Sequence, residues 1–150
     1  MSRAEANCAT LGAMSQFDEL GGEASLRAII DRFVDRVFDD LMIGFFFART
    51  SRARIKEKEY EHAAEFLGGP VTYSGRALDV AHARHPIQGG HFQRRLAILR
   101  ATLDEARVPP SIRDAWLAHQ EALRPLVTAD PGSECDGTTA FARTAARSGS

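Results

Sequence analysis

The sequence predicts an all-α protein of four main helices joined by short connectors. Three observations predict it. Apolar residues recur at helical spacing in four long segments, glycine and proline pairs punctuate those segments, and no stretch reads convincingly as a strand. The first helix carries Leu26, Ile29, Ile30, Phe33, Val34, Val37 and Phe38 at i, i+3, i+4, i+7, i+8, i+11 and i+12, one broad apolar stripe preceded by Gly21-Gly22. The second runs from about Ser51 to Phe66 and is stopped by Leu67-Gly68-Gly69-Pro70. The third runs from about Gly89 to Ala106, with Phe92, Leu96, Leu99 and Leu103 on one face. The fourth starts after Pro109-Pro110, where Ser111 followed by Asp114 resembles a capping pattern. Its apolar positions are Ile112, Trp116, Leu123, Leu126 and Val127, and Pro125 should kink or end it.

The second helix carries an oddity. Ile55, Glu59, His62 and Phe66 fall at i, i+4, i+7 and i+11 and therefore share a face. Half of that face is polar. Either it is partly exposed, or something buried there requires a carboxylate and an imidazole.

Residues 1–15 read as a flexible N-terminal arm, 16–128 as the folded domain and 129–150 as a disordered tail rich in Gly, Ser, Thr and Ala. A chain of 150 residues suits one domain with a sizeable core. The hydrophobic fraction of 44% and charged fraction of 26% are those of a globular protein in water. A net charge of −1 provides no global field for nucleic acid or an anionic membrane, so neither is expected as a partner. Cys8 and Cys135 lie in opposite tails and fit no metal-type spacing; a reducing cytosol, and so a cytoplasmic location, is the simplest reading. No apolar run approaches the roughly 18 residues of a membrane span, and the N-terminus lacks the continuous apolar core of a secretory signal. There is no glycine-rich phosphate loop, and no Ser/His/Asp or Cys/His set in a context that suggests catalysis.

The stretch Val80-Ala81-His82-Ala83-Arg84-His85-Pro86-Ile87-Gln88-Gly89-Gly90-His91-Phe92 places three histidines within ten residues, just before the third helix. A histidine so placed can be the single protein ligand of a haem iron, its neutral imidazole giving one nitrogen to the metal. Upstream lie Phe17-Asp18-Glu19-Leu20-Gly21-Gly22, then Phe33, the aromatic run Phe45-Phe46-Phe47, and Leu67-Gly68-Gly69-Pro70 with Tyr73 and Gly75. In this order and spacing the pieces resemble a truncated haemoglobin, the short bacterial globin with a two-over-two helical sandwich, and most of all its first group. The resemblance covers about Phe17 to Val127.

The resemblance implies haem b as cofactor and His82 as the iron ligand, ten residues before Phe92. His85, restricted by the following Pro86, and His91, next to Phe92, are the competing candidates. It implies Phe47 as the ring wedged against the haem, or Phe46 if the register slips by one. Phe33, Val34, Ile55, Phe66 and Phe92 would line the slot, and Tyr73, Arg54 and Lys58 would meet the haem propionates. For Arg54 and Lys58, solvated helix charges are the equal alternative.

The chain departs from the family on the distal side. The tyrosine usual after the residue matching Phe33 is Val34, which has no donor. The common distal glutamine corresponds to Glu59, the often aromatic position one turn on to His62, and the distal histidine position of longer globins to Ile55. Losing a donor to a partly negative ligand should cost about 1–3 kcal/mol, roughly ten- to hundredfold in oxygen affinity. Glu59 and His62 are expected to replace the Tyr/Gln pair and make oxygen affinity pH-dependent. The alternatives are that His62 or Lys58 takes the sixth iron position, or that Glu59 and His62 point outward.

The implied function is reversible binding of dioxygen or another diatomic gas, a gas-binding protein more than an enzyme. The alternatives are nitric oxide dioxygenation with a reductase partner or peroxide turnover, and a haem-free globin-like interaction domain. Globin folds support carriers, sensors and enzymes alike.

Overall fold

The computed structural model describes residues 14–77 and 87–128. The segment holding His82 and His85, the tail from 129 onward, and nearly all of the N-terminal arm lie outside the described residues.

Four long helices form where the periodicity places them: α2 (Gly22–Asp39), α3 (Arg52–Phe66), α4 (Gly89–Glu105) and α5 (Pro110–Ala122). Single turns flank them: α1 (Gln16–Glu19) before, and α6 (Arg124–Val127) after. A 3₁₀ turn, Gly44–Phe47, carries the aromatic run. There is no strand among the described residues. The helices stack in two layers, α2 with α3 over α4 with α5. α2 packs on both α3 and α4, and α4 packs on α5.

The stripe on α2 is the centre of the core. Leu26, Ile29, Ile30, Phe33, Val34 and Val37 are buried, joined by Leu99 and Leu103 from α4 and by Ile112 and Trp116 from α5. Phe38, the last of the stripe, is half-buried and stacks on Phe47 at 4.9 Å between ring centroids. Charges bind the outer edge: Arg52 reaches Asp35 and Asp39 at 3.1 and 2.9 Å, and Arg27 reaches Glu57 at 2.9 Å. Such exposed pairs are individually worth little and serve to align α3 on α2.

The glycines after α3 stop it by geometry. Gly68 takes φ +83°, in the left-handed region, and the Gly69 and Gly68 N–H groups donate back to Ala64 and Glu65 carbonyls at 2.8 and 3.2 Å. A methyl on Gly69 would meet the Phe17 ring at 2.8 Å, so the chain needs glycine there to let α1 lie against the end of α3. The Phe17 N–H donating to the Leu67 carbonyl at 2.9 Å completes that junction.

Two expectations about the fourth helix are corrected. Its N-cap is Pro109, with Pro110 as first residue and no side-chain cap, so Ser111 caps nothing. Proline at that position has its φ preset and no N–H to satisfy, which removes the need for a hydroxyl. The helix ends at Ala122, before Pro125, which falls in the separate turn α6, and there Leu126 is 46% exposed rather than an apolar core position.

Candidate functional site

A cleft of about 240 Å³ opens between the layers. The 3₁₀ turn and its approach supply Ile43, Phe46 and Phe47. From α3 come Ile55, Lys58, Glu59 and His62, one face of that helix, and Tyr73 closes over them. The opposite layer supplies Ile87, His91, Phe92 and Arg95, then Gln120, Leu123 and Val127. The wall is predominantly apolar, with a few charged or polar groups placed along it, as in small-molecule sites generally.

Of the residues singled out in the sequence, Phe46, Phe47, Ile55, Lys58, Glu59, His62, Tyr73 and Phe92 line this cleft together. Both candidate phenylalanines of the aromatic run do so: Phe47 is backed by Phe38, and Phe46 meets His91 edge-on at 4.9 Å. Phe33 and Val34 do not reach the cleft surface; both are buried in the core behind it. Phe66 turns away and stacks on His119 at 4.0 Å with an interplanar angle of 7°. Arg54 is exposed, and its backbone N–H donates to the Ser51 hydroxyl that caps α3. His82 lies outside the described residues.

The polar groups of α3 are tethered. Lys58 donates to the Ser74 hydroxyl at 2.7 Å and to the Glu61 carboxylate at 3.3 Å. The Ser74 N–H bonded to Glu61, with Lys58 beside it, holds that carboxyl below its usual range. The Tyr73 hydroxyl donates to the Arg76 carbonyl at 3.0 Å, and burial pushes its phenol up. His62 packs edge-on against Tyr73 at 5.4 Å and stacks on His119 at 5.6 Å. Burial, and then repulsion by His62, pushes the His119 imidazole below its ordinary 6.5.

Glu59 has a partner that the sequence reading did not anticipate. Arg95, on α4, donates from Nη2 to Glu59 Oε1 at 2.7 Å and from Nη1 to Gln120 Oε1 at 2.7 Å. Its guanidinium lies 4.9 Å over the Phe33 ring. The signal was present: Arg95 falls at i+3 from Phe92 and i−4 from Leu99, on the apolar face of α4, and Gln120 falls at i+4 from Trp116.

His91 is fixed as well. The Gln88 N–H donates to its Nδ1 at 3.1 Å. That bond engages the lone pair of Nδ1. Among the described residues no cluster of three or more His, Cys, Asp or Glu side chains could hold a metal ion unaided.

Comparison with known proteins agrees with this architecture. Residues 15–129 match the model of the bacterial-like globin family. The group 1 truncated hemoglobin GlbN of Mycolicibacterium paratuberculosis is 34% identical over 119 residues, covering 79% of this chain and 88% of that protein. The crystal structure of the truncated hemoglobin of Tetrahymena pyriformis, in its Fe(III) form, superposes with a TM-score of 0.70 at 26% identity, over 78% of this chain and all of that one. The hemoglobin of the thermophilic phototroph Chloroflexus aurantiacus superposes at 0.70 with 28% identity, over 79% of this chain and all of that one. With four helices in two layers and a cleft between them, this chain belongs to the bacterial-like globins and, among them, to the group 1 truncated haemoglobins.

Proposed function

We propose that this protein binds haem b in the cleft through His82 and reversibly takes up dioxygen or another diatomic gas. The family implies haem. The observation that carries the reading is the composition of the cleft: Phe46, Phe47, Phe92 and Ile55 form an apolar slot for a flat ring, with Lys58 on its wall as a cation for carboxylates. The resemblance gives His82 as the ligand, with His85 and His91 as rivals, and the hydrogen bond that His91 Nδ1 accepts from the Gln88 N–H favours His82 over His91.

When bound, the haem iron supplies the site at which a diatomic ligand is held. The residues of this chain do the rest. The phenylalanines would exclude water from the bound group, and Lys58, held by Glu61 and Ser74, would offer it a cation. Reversible binding requires ferrous iron, and we assign that reduction to a separate reductase. The absence among the described residues of any helix long and apolar enough to cross a membrane is compatible with a cytoplasmic site of action.

The test is the absorption spectrum of the protein mixed with haem, in the ferric, ferrous and carbon monoxide forms, for the wild type, His82→Ala and His85→Ala. The expected outcome is stoichiometric uptake with a globin-type spectrum that only His82→Ala abolishes. No stoichiometric uptake would sink the reading and point to a haem-free interaction domain. A second reading, turnover of peroxide or nitric oxide, is favoured by His62, an imidazole on the cleft wall that can move a proton. Consumption of either substrate by the loaded protein, lost in His62→Phe, would establish it.

A further inference from the structure

We propose that Arg95 is the ligand-facing donor of the cleft and Glu59 its positioning residue, so that the site favours ligands carrying negative charge. This rests on the haem reading above and adds to it the chemical class of ligand.

Four observations carry it. Arg95 lines the cleft, with its side chain only 22% exposed. Its guanidinium is held in one place from three directions: by Glu59 at 2.7 Å, by Gln120 at 2.7 Å and by the Phe33 ring beneath at 4.9 Å. Those two hydrogen bonds use only part of a guanidinium's N–H groups, so donors remain for a third partner. Finally, Val34, behind the cleft, is buried and has no polar atom to offer a ligand.

The physical consequence follows from charge and preorganisation. A guanidinium is cationic at every accessible pH, and a cation in a largely apolar cleft interacts strongly with charge. Glu59 and Gln120 hold it in place before a ligand arrives, so little ordering is needed on binding. An anion or a strongly polarised ligand gains a charge-assisted hydrogen bond; a nearly apolar one such as carbon monoxide gains little. The arrangement also changes the part expected of Glu59. It is an acceptor for Arg95 and acts on the ligand through that cation.

The experiment uses the full chain loaded with haem. Azide and fluoride affinities are measured in the ferric state, and carbon monoxide affinity and C–O stretching frequency in the ferrous state, for the wild type, Arg95→Met, Arg95→Lys, Glu59→Gln and the double variant Arg95→Met/Glu59→Gln. Arg95→Met is expected to weaken azide and fluoride about ten- to hundredfold, the loss of one charge-assisted donor. It should leave carbon monoxide affinity within about threefold and raise the C–O stretch. Arg95→Lys should retain part of the anion affinity. Glu59→Gln should weaken azide in the wild-type background and should not weaken it once Arg95 is methionine, where it only removes a stranded carboxylate. The double variant removes both charges together and so avoids stranding one in the cleft.

Azide affinity that is unchanged in Arg95→Met overturns the proposal. So does a Glu59→Gln change that strengthens azide equally in both backgrounds, which would make Glu59 a direct repelling charge. A wild-type chain that takes up no haem overturns the haem reading and this inference with it.

Discussion

His119 sits between two rings, and that position makes it a pH-sensitive element of stability. Stacked on Phe66 and facing His62, it is held below its ordinary 6.5, chiefly by burial. The native state therefore resists a proton that the unfolded chain accepts. Stability is full above 6.5 and declines as pH falls from there toward the native value, after which this contribution is constant. Melting temperature should fall between about pH 7.5 and pH 5.5, and His119→Phe, which keeps the stack, should flatten that slope. An equal slope in wild type and variant would show that other groups set it. Arg95 makes the complementary point at the same scale. One cation touching Glu59, Gln120 and Phe33 joins α2, α3 and α5 to α4, so its replacement affects packing as well as charge.

The ends of the helices show two solutions to the same problem. α3 closes with Gly68 in the left-handed region. α4 closes with the same pattern of backbone bonds, the Val108 N–H donating to the Leu103 carbonyl at 3.1 Å, but with Arg107 at φ +56° in the glycine position. A side chain there costs about 1 kcal/mol. Arg107→Gly should therefore raise unfolding free energy by about 1 kcal/mol, and Gly68→Ala should lower it by a similar amount; both are read from denaturant midpoints. Much of this level was legible in the sequence. The stripe from Leu26 to Phe38 and the stop at Gly68-Gly69 identify α2 and the end of α3 because both depend on neighbours within a few residues. Ser111 misled because a hydroxyl cap and a proline at the first helical position are alternative answers to the same unsatisfied donors, and Pro110 already supplies one. The face shared by Ile55, Glu59 and His62 was also legible, since helical periodicity alone places them on one side of α3.

At the scale of the molecule the cleft exists only because two layers meet, and local pattern was silent there. Glu59 and Arg95 are 36 residues apart, and their hydrogen bond depends on how α4 packs across α3. A separation of 25 residues from Arg95 hid Gln120 in the same way. The resemblance implies Phe66 as a slot residue, and it shares a helix face with Ile55, but His119 of α5 stacks on it away from the cleft lining. Because the cleft lies between layers, occupancy should stabilise the whole fold. With haem at about a hundredfold excess over its dissociation constant, the loaded protein should be more stable by about 2.7 kcal/mol, seen as a higher melting temperature. The gain should vanish in His82→Ala. A wild-type melting temperature indifferent to haem would mean the group does not enter the folded cleft.

Trp116 is the only tryptophan in the chain, buried in α5 one helical turn before Gln120 of the cleft wall. The emission of a shielded indole overlaps the absorption of a porphyrin, so a porphyrin seated in the cleft would drain its excited state before it could emit. The native protein thus contains its own fluorophore next to the site where a quencher would sit. Arrival of the group would darken it, release would restore the light, and unfolding would shift its colour to the red, three optical signals from one side chain without any label.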